Sequence, residues 1–273
     1  MKILLILVSF ISFIWAERIV TLSPSINEIV FALGEGKNIV ANTTYCNYPS
    51  QSKEIKKVGG YANISLEKIL EVKPTLVIAQ NYDQKLLENL KALNIKTLVF
   101  KTDTLDSIKN TILTLGKEFN KEKLASSLVM KINQSLKNLE NIVSDKKIVI
   151  VIHPSKNLSK NIFIVGNNLY FNDIIKASNN QNAYISKNSA QPVVNIEKII
   201  AMNPDIIILL AAFFQEDKEG LAEIKKQWKN LPINAAIKNN IYAIDKEYAG
   251  IPSHRVIYFI DDFKKILEDV RNK

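Results

Sequence analysis

Short apolar runs alternate with amphipathic segments along the first part of the chain. The apolar runs are rich in β-branched residues, and the segments between them space their apolar positions as a helix does. The runs that we predict as strands are 18–24 (RIVTLSP), 38–45 (NIVANTTY), 75–79 (TLVIA) and 95–100 (IKTLVF). Strands that alternate with helices at this spacing predict a parallel sheet covered on both faces.

The next segment, residues 104–147, has a helical pattern throughout, with a predicted break near Gly116. Between residues 121 and 144 apolar residues recur at helical spacing beside Lys and Glu, and the stretch contains neither Gly nor Pro. We therefore predict one long connecting helix over 121–144, which is suited to join two lobes.

The sequence also contains an internal repeat. Residues 64–79 read ISLEKILEVKPTLVIA, and residues 194–209 read VNIEKIIAMNPDIIIL. Each copy predicts a capped short helix, a Pro that ends it and a strand, and the elements around the two copies follow the same order. The predicted fold is therefore α/β with two similar lobes, 17–120 and 145–273, each with a central parallel-type sheet. The helix 121–144 joins them, and a ligand cleft lies between them.

Glu67 and Glu197 occupy the same position in the two copies. Each is an acid in the first turn of a helix, where the helix dipole favours negative charge. Two equivalent charges on two equivalent lobes also suit a partner with twofold symmetry. The two interpretations are compatible.

The N-terminus has the pattern of a secretory signal peptide. Lys2 precedes an apolar run from Ile3 to Ala16, which is too short to span a membrane as a helix. We predict a signal peptide over 1–16, cleavage after Ala16 and an exported, soluble chain; an uncleaved anchor is the alternative. Cys46, the single cysteine, then has no partner for an internal disulfide and is predicted to be buried.

The net charge of +9 raises the question of nucleic-acid binding, but the residue types argue against it. Arg18, Arg255 and Arg271 are the only arginines among 36 basic residues, and the lysines are scattered along the chain. Base readout relies on arginine forks and interleaved aromatic residues. We predict a lysine-rich solvated surface and no nucleic-acid partner.

The motifs of familiar enzymes are also missing from the sequence. It contains no G-x-S-x-G elbow, no H-E-x-x-H and no glycine-rich phosphate loop. With two His and one Cys, a His and Cys metal site is not predicted either. We predict no catalytic residues and no metal. An exported hydrolase with Asp or Glu pairs and a structural surface protein remain alternative classes.

Aromatic residues are common in the loops that follow the predicted strands. Open α/β sheets bind ligands at the carboxyl ends of their strands, and aromatic faces with hydroxyl groups suit a flat macrocycle. The residues that we predict as ligand contacts in these loops are Tyr45, Tyr48, Tyr61, Tyr82, Phe163, Phe213 and Tyr248. For each of them alone, packing within its own loop is an equally good interpretation. Trp228, by contrast, is predicted to lie in the core.

The order of these elements and motifs resembles the class III periplasmic binding proteins that serve ABC importers of cobalamin, siderophores and haem. The resemblance covers residues 18–273 and includes RIVTLSPSINEIVFALG, YCNYP and VGGYANISLEKILEVKPTLVIA, then the second copy of the repeat. It ends with QWKNLPINAAIKNNIYAID and a helix that begins PSHR. The stretch from Tyr45 to Ala79 is most similar to the cobalamin-binding branch.

This resemblance implies a non-catalytic periplasmic receptor that holds its ligand between two α/β lobes. It implies that Glu67 and Glu197 dock on arginine pockets of the two permease subunits, and we expect the receptor to be a monomer. The ligand implied is a corrinoid, whose cobalt belongs to the cargo and not to a cofactor. Haem is the main alternative, because haem-binding relatives place a Tyr near the position of Tyr61, and ferric siderophores are a third option.

Arg255 stands out because arginine is scarce in this chain, and two roles are open for it. At the mouth of the cleft it could bind the carboxamides of a corrinoid or the propionates of haem. It could equally be a structural brace paired with Asp245 or Glu247. His153 ends a predicted strand near the junction of the lobes, and we predict it to be a satisfied interior histidine.

Overall fold

The structure is a computed structural model that describes residues 17–61, 63–159, 161–185, 190–214 and 216–273. The predicted signal peptide 1–16 and its cleavage site lie outside these residues. Within the described ranges, no helix combines the length and the apolar character that a membrane span requires.

The first half of the chain forms a five-stranded sheet. Its strands are β1 (Ile19–Thr21), β2 (Ile39–Asn42), β3 (Lys56–Lys57), β4 (Leu76–Gln80) and β5 (Thr97–Phe100). They lie in the order β3-β2-β1-β4-β5, and every neighbouring pair is parallel. The predicted parallel sheet is confirmed, and the continuous apolar sequence of β1 and β4 reflects burial on both faces.

The second half forms a mixed sheet. Its strands are β6 (Lys147–Ile152), β7 (Ile162–Ile164), β8 (Gln181–Asn182), β9 (Val193–Val194), β10 (Ile206–Leu210) and β11 (Ile241–Ile244). The order is β11-β10-β6-β7-β9, with β8 also paired to β6. The pairs of β6, β8, β10 and β11 are parallel, as predicted, whereas β7 is antiparallel to both of its neighbours.

Helices cover and connect these strands. In the described residues they are α1 (Pro24–Ala32), α2 (Leu66–Glu71), α3 (Gln84–Ala92), α4 (Leu105–Glu118), α5 (Glu122–Lys137), α6 (Tyr170–Ala177), α7 (Ile196–Met202), α8 (Lys218–Lys229), α9 (Asn234–Ile237) and α10 (Val256–Asn272). Polar N-cap side chains that accept a backbone N–H of the first turn begin six of them: Ser23, Ser65, Asp83, Thr104, Asn195 and Asp217. These caps agree with the helix starts expected for both copies of the repeat.

The connection between the lobes differs from the predicted single helix. Helix α4 continues through Gly116 without the predicted break. A Cβ at this position would lie 2.3 Å from the Cβ of Ala125, so the glycine allows α5 to pack closely against α4. Helix α5 ends at Lys137 and not near residue 144; Asn138 caps it, and Asn141 has a φ of 61°. After Asn138 the chain continues in tight turns, in which the N–H groups of Leu139 and Glu140 donate to the carbonyl oxygens of Leu136 and Lys137. The left-handed conformation of Asn141, which asparagine adopts more easily than most residues, then turns the chain away from the helix direction. Two packed helices therefore make the connection, and α5, with 16 residues, is about 24 Å long.

One apolar core extends from the first sheet to the second. It contains Ile19 and Ile78 of the first sheet, Ile148 and Ile208 of the second, and Phe259 of α10. Two further clusters cover the other face of each sheet. Because the central cluster includes side chains from both sheets, the lobes share one packed interior.

Candidate functional site

A cleft of about 590 Å³ lies between the lobes. Its first wall comes from loops that leave the carboxyl ends of β2, β4 and β5, and its second wall from loops that leave β6, β10 and β11 together with the start of α6. Both walls therefore stand at the edge where open parallel sheets place their ligands.

Three of the predicted tyrosines form the first wall. Tyr45 and Tyr48 follow β2, Tyr82 follows β4, and all three line the cleft. Their exposed fractions are 60%, 37% and 51%, which is high for aromatic residues in a packed protein. The structure thus brings Tyr45, Tyr48 and Tyr82 together on one surface, as the strand-end argument predicted.

A buried polar network holds the loop that carries Tyr48. The Nδ2 atom of Asn27 donates to the carbonyl oxygen of Tyr48 at 3.1 Å and to Oγ of Ser52 at 2.7 Å. From the other side, Nζ of Lys57 donates to Oδ1 of Asn42 and to the carbonyl oxygen of Ser52, both at 2.7 Å. Burial lowers the pKa of Lys57, and these acceptors satisfy its ammonium group. The loop is therefore fixed before any ligand arrives.

Tyr61 packs beside Tyr82, is 60% exposed and is not among the described residues that line the cleft. Their ring centroids are 5.0 Å apart, and the Tyr82 hydroxyl hydrogen-bonds that of Tyr61. The loop before Tyr61 turns at Gly59, where φ is 128° and an added Cβ would lie 2.2 Å from the carbonyl oxygen of Asn63. Only glycine fits that turn, so the Gly-Gly pair in the sequence places Tyr61 against Tyr82.

The second wall is more apolar. Ile152, Leu169, Phe171, Leu210 and Ala212 contribute side chains to it. The polar residues of this wall are His153, Gln191 and Glu247. The cleft thus places tyrosine hydroxyls on one side and an apolar surface with few polar groups on the other.

Arg255 is buried and does not line the cleft. Its side chain is 4% exposed; Nε donates to Oε2 of Glu28 at 3.0 Å, and Nη2 donates to Oε1 of the same carboxylate. Nη1 lies 3.3 Å from Oε1 of Glu247, and the hydroxyl of Ser253 also donates to Glu28. The predicted contact of Arg255 with a ligand is therefore replaced by the other predicted role, a brace, with Glu28 as its main partner.

Phe163 and Phe213 are not among the described residues that line the cleft. Phe163 lies on β7 beside Ile152, to which it is paired, and is 42% exposed. Because paired residues of neighbouring strands share a face, Phe163 extends the face that carries Ile152 toward solvent. Phe213 lies in the 3-10 turn Ala212–Phe214, and its side chain is outside the described part of the structure.

Tyr248 also turns away from the cleft, although its neighbours Glu247 and Ala249 line it. Its hydroxyl donates to Oδ2 of Asp262, and its ring centroid lies 5.4 Å from that of Tyr258. Burial, with the neighbouring Asp262, raises the pKa of Tyr248 well above its usual value. Tyr248 therefore packs within its own region of the second lobe, which is the alternative interpretation given above for each aromatic residue.

Glu67 and Glu197 are both exposed at the second residue of their helices, α2 and α7. No ion pair or hydrogen bond links either carboxylate to another described residue. Each helix crosses from one parallel strand to another and so begins at the carboxyl edge of its sheet, the edge that also bears the cleft. Two equivalent, unpaired carboxylates are available to a partner on that side of the molecule.

Sequence reasoning missed several polar residues of the cleft, namely Asn47, Thr102, Asp103, His153 and Gln191. His153 was expected in the interior but is exposed at the end of β6, with a φ of 52° that turns the chain into the cleft. Asp103 could have been found by its place just after the strand β5. A polar residue at that edge is a candidate whatever its type.

Neither Cys46 nor His254 belongs to the cleft. Cys46 is buried as predicted, its Sγ is 3.2 Å from the Thr43 hydroxyl, and burial raises the pKa of its thiol. Burial and the neighbouring Arg255 lower the pKa of His254 to about 4, and its Nδ1 has no hydrogen-bond partner among the described residues. Trp228 is fully buried in the second lobe, which confirms its predicted core position. Among the described residues, no three His, Cys, Asp or Glu side chains come together in a way that could hold a metal ion.

Comparison with known proteins identifies a family and several relatives that this chain resembles. The sequence matches the periplasmic binding protein family over residues 19–248. The vitamin B12-binding protein of Vibrio campbellii is 26% identical over 261 residues, which cover 94% of this chain and 92% of the relative. All of these matches are to binding proteins and not to enzymes.

Two solved structures share the fold. The periplasmic vitamin B12 binding protein of Vibrio cholerae matches with a TM-score of 0.79 at 21% identity, covering 94% of this chain and 99% of that one. A periplasmic haem-binding protein of Roseiflexus sp. RS-1 matches with a TM-score of 0.75 at 20% identity, with the same coverage of 94% and 99%. The predicted two-lobed α/β fold is thereby confirmed.

Proposed function

The chain belongs to the periplasmic binding protein family, and we propose that it is the exported solute receptor of an ABC importer. In this proposal it captures a corrinoid in the cleft between its lobes and delivers it to a dimeric permease at the inner membrane. Residues 1–16 direct export and are removed after Ala16, and the mature chain acts as a monomer. The protein binds its ligand and catalyses no reaction on it.

The proposal of a corrinoid as the ligand rests on the residue types in the cleft walls. Tyr45, Tyr48 and Tyr82 offer aromatic faces and hydroxyl groups opposite an apolar wall, an arrangement suited to a flat macrocycle with a polar rim. None of the described residues that line the cleft is a lysine or an arginine. A corrinoid presents neutral carboxamides, whereas haem presents two propionates and many ferric siderophores are anionic. The composition of the walls therefore favours the corrinoid.

The environment of Tyr61 argues in the same direction. Ligation of ferric haem by this residue requires its phenolate. Burial raises the pKa of Tyr61, the hydrogen bond from Tyr82 lowers it, and the nearby Asp103 raises it; the net direction is upward, so forming the phenolate is less favourable here than at an ordinary tyrosine. Tyr61 is also not among the described residues that line the cleft.

Titration of the mature chain, residues 17–273, with cyanocobalamin and with haemin tests the ligand. We expect saturable 1:1 binding of cyanocobalamin and, at a concentration 100 times its Kd, about 2.7 kcal/mol of added stability. Haemin is expected to give no shift of its Soret band. A Soret shift that disappears in Tyr61→Phe would instead assign haem to this receptor.

The two exposed glutamates, Glu67 and Glu197, support the proposal that the protein docks on a dimeric permease. Glu67 and Glu197 stand at equivalent places on two lobes, on the side of the cleft, and each is unpaired among the described residues. A permease with twofold symmetry would present the same cationic pocket to each of them. Docking through both lobes would place the mouth of the cleft over the permease entrance.

A further inference from the structure

Asp103 and Glu247 occupy equivalent positions in the two lobes. Asp103 is the third residue after β5, and Glu247 is the third residue after β11. Strand β5 pairs with β4 and β11 with β10, and β4 and β10 are the strands in which the two copies of the repeat end. Both residues line the cleft, one on each wall. Equivalent strands of the two lobes, β5 and β11, thus each lead to one carboxylate in the cleft.

The carboxylate of Asp103 has no hydrogen bond or ion pair with another described residue. Its charge nevertheless acts on the cleft, because it contributes to the raised pKa of Tyr61 and of Tyr82. The residue is exposed and lines the cleft on the wall that carries the tyrosines. It is therefore free to accept hydrogen bonds from a ligand.

Glu247 shares the guanidinium of Arg255 with a second carboxylate. The guanidinium of Arg255 is already bonded through two nitrogens to the buried carboxylate of Glu28, and Nη1 reaches Glu247 at 3.3 Å. Two carboxylates share one cation, so this cluster keeps a net negative charge. The side chain of Glu247 is 47% exposed toward the cleft and its solvent.

We propose that Asp103 and Glu247 select the ligand by charge: they accept hydrogen bonds from neutral N–H groups on its rim and repel carboxylates. The inference rests on the proposed receptor function and adds a recognition rule to it. A carboxylate oxygen accepts the N–H of a carboxamide, but a ligand carboxylate at the same place meets a like charge in a partly desolvated cleft. On a protein with a net charge of +9, this selection belongs to the cleft and not to the overall field.

A matched pair of ligands tests the rule. Cyanocobalamin and its monocarboxylic acid derivative differ by one rim carboxamide that is replaced by a carboxylate. We expect the mature protein to bind the amide more tightly than the acid, by about two- to fivefold for each protein carboxylate involved. In the double variant Asp103→Asn with Glu247→Gln, the ratio of the two Kd values should fall toward one, mainly because the acid binds better.

The control variant is Asp106→Asn. Asp106 lies three residues from Asp103 on α4, is 86% exposed and pairs with Lys109 outside the cleft, so it should leave the ratio unchanged. Raising the salt concentration should reduce the ratio in the wild type and not in the double variant. An unchanged ratio in a folded double variant overturns the proposal.

The two levels of inference fail in different ways. If neither corrinoid binds, the ligand assignment fails. The same comparison of a neutral and an anionic ligand can then be made with haemin dimethyl ester and haemin. A preference for the ester that is lost in the double variant would keep the selection rule without the corrinoid. If neither pair of ligands binds, or if the anionic member of a pair binds more tightly, the selection rule is rejected.

Discussion

The guanidinium of Arg255 lies against the ring of Tyr48, with 3.7 Å between Cζ and the ring centroid. Tyr48 lines the cleft and belongs to the first lobe, whereas Arg255 directly precedes the last helix of the second lobe. Beneath this contact the same guanidinium bonds Glu28 of α1. A single buried cation therefore joins the two lobes and supports a ligand-facing ring.

Removal of this cation should destabilise the fold. Arg255→Met leaves Glu28 buried without its cation, and we expect a loss of about 3–5 kcal/mol in the free energy of unfolding. The double variant Glu28→Gln with Arg255→Met should lose less than the two single variants together. Urea titration followed by the fluorescence of buried Trp228, the only tryptophan of the mature chain, measures both. Lys56→Met, which breaks only an exposed pair with Glu71, is the control and should cost less than about 1 kcal/mol.

The ring of Tyr48 should contribute more to ligand binding than its hydroxyl. The described contacts of Tyr48 within the protein involve its carbonyl oxygen and its ring, so Tyr48→Phe is expected to keep the local structure and to weaken ligand binding only about two- to threefold, through the lost hydroxyl. Tyr48→Ala removes the cleft wall and should weaken ligand binding roughly tenfold. Isothermal titration of both variants measures the effect, with Tyr258→Ala, an exposed tyrosine outside the cleft, as the control. Equal affinity for Tyr48→Ala and the wild type would remove Tyr48 from the site.

The sequence predicted those features that depend on local pattern. The strands near Ile19, Leu76 and Ile206 were predictable because their apolar runs are continuous, and the repeat around Glu67 and Glu197 revealed the two lobes. The tyrosines of the first wall were predictable because strand ends mark the site.

Long-range pairing was not predictable in this way. Arg255 and Glu28 are 227 residues apart, and no local pattern announces that they meet. Helix α5 ends at Lys137 although no Gly or Pro follows it before residue 144, so the sequence carries no strong signal for its end. The antiparallel strand β7 has only three residues, too short a run for alternation to identify it.

The two exposed glutamates should affect transport and not ligand binding. We expect the double variant Glu67→Ala with Glu197→Ala to abolish uptake in cells while its affinity for the ligand stays unchanged, because neither residue lines the cleft. Each single variant should give partial uptake. The matched control is Glu71→Ala with Glu219→Ala, which removes two other exposed helix acids, one from each lobe. Normal uptake by the Glu67 and Glu197 double variant would exclude docking through these residues.

His254 should make the fold less stable in mild acid. Its pKa is about 4 in the folded protein and 6.5 in the unfolded chain, so between these values the unfolded state binds more protons. The free energy of unfolding therefore decreases as the pH falls from 6.5 to 4, by up to about 3 kcal/mol from this residue alone. Carboxylates also titrate in this range, so the measurement is the difference between the wild type and His254→Gln in urea titrations at several pH values. That difference should change across the window in favour of the variant at low pH. A constant difference from pH 7 to pH 4 would contradict a buried neutral histidine.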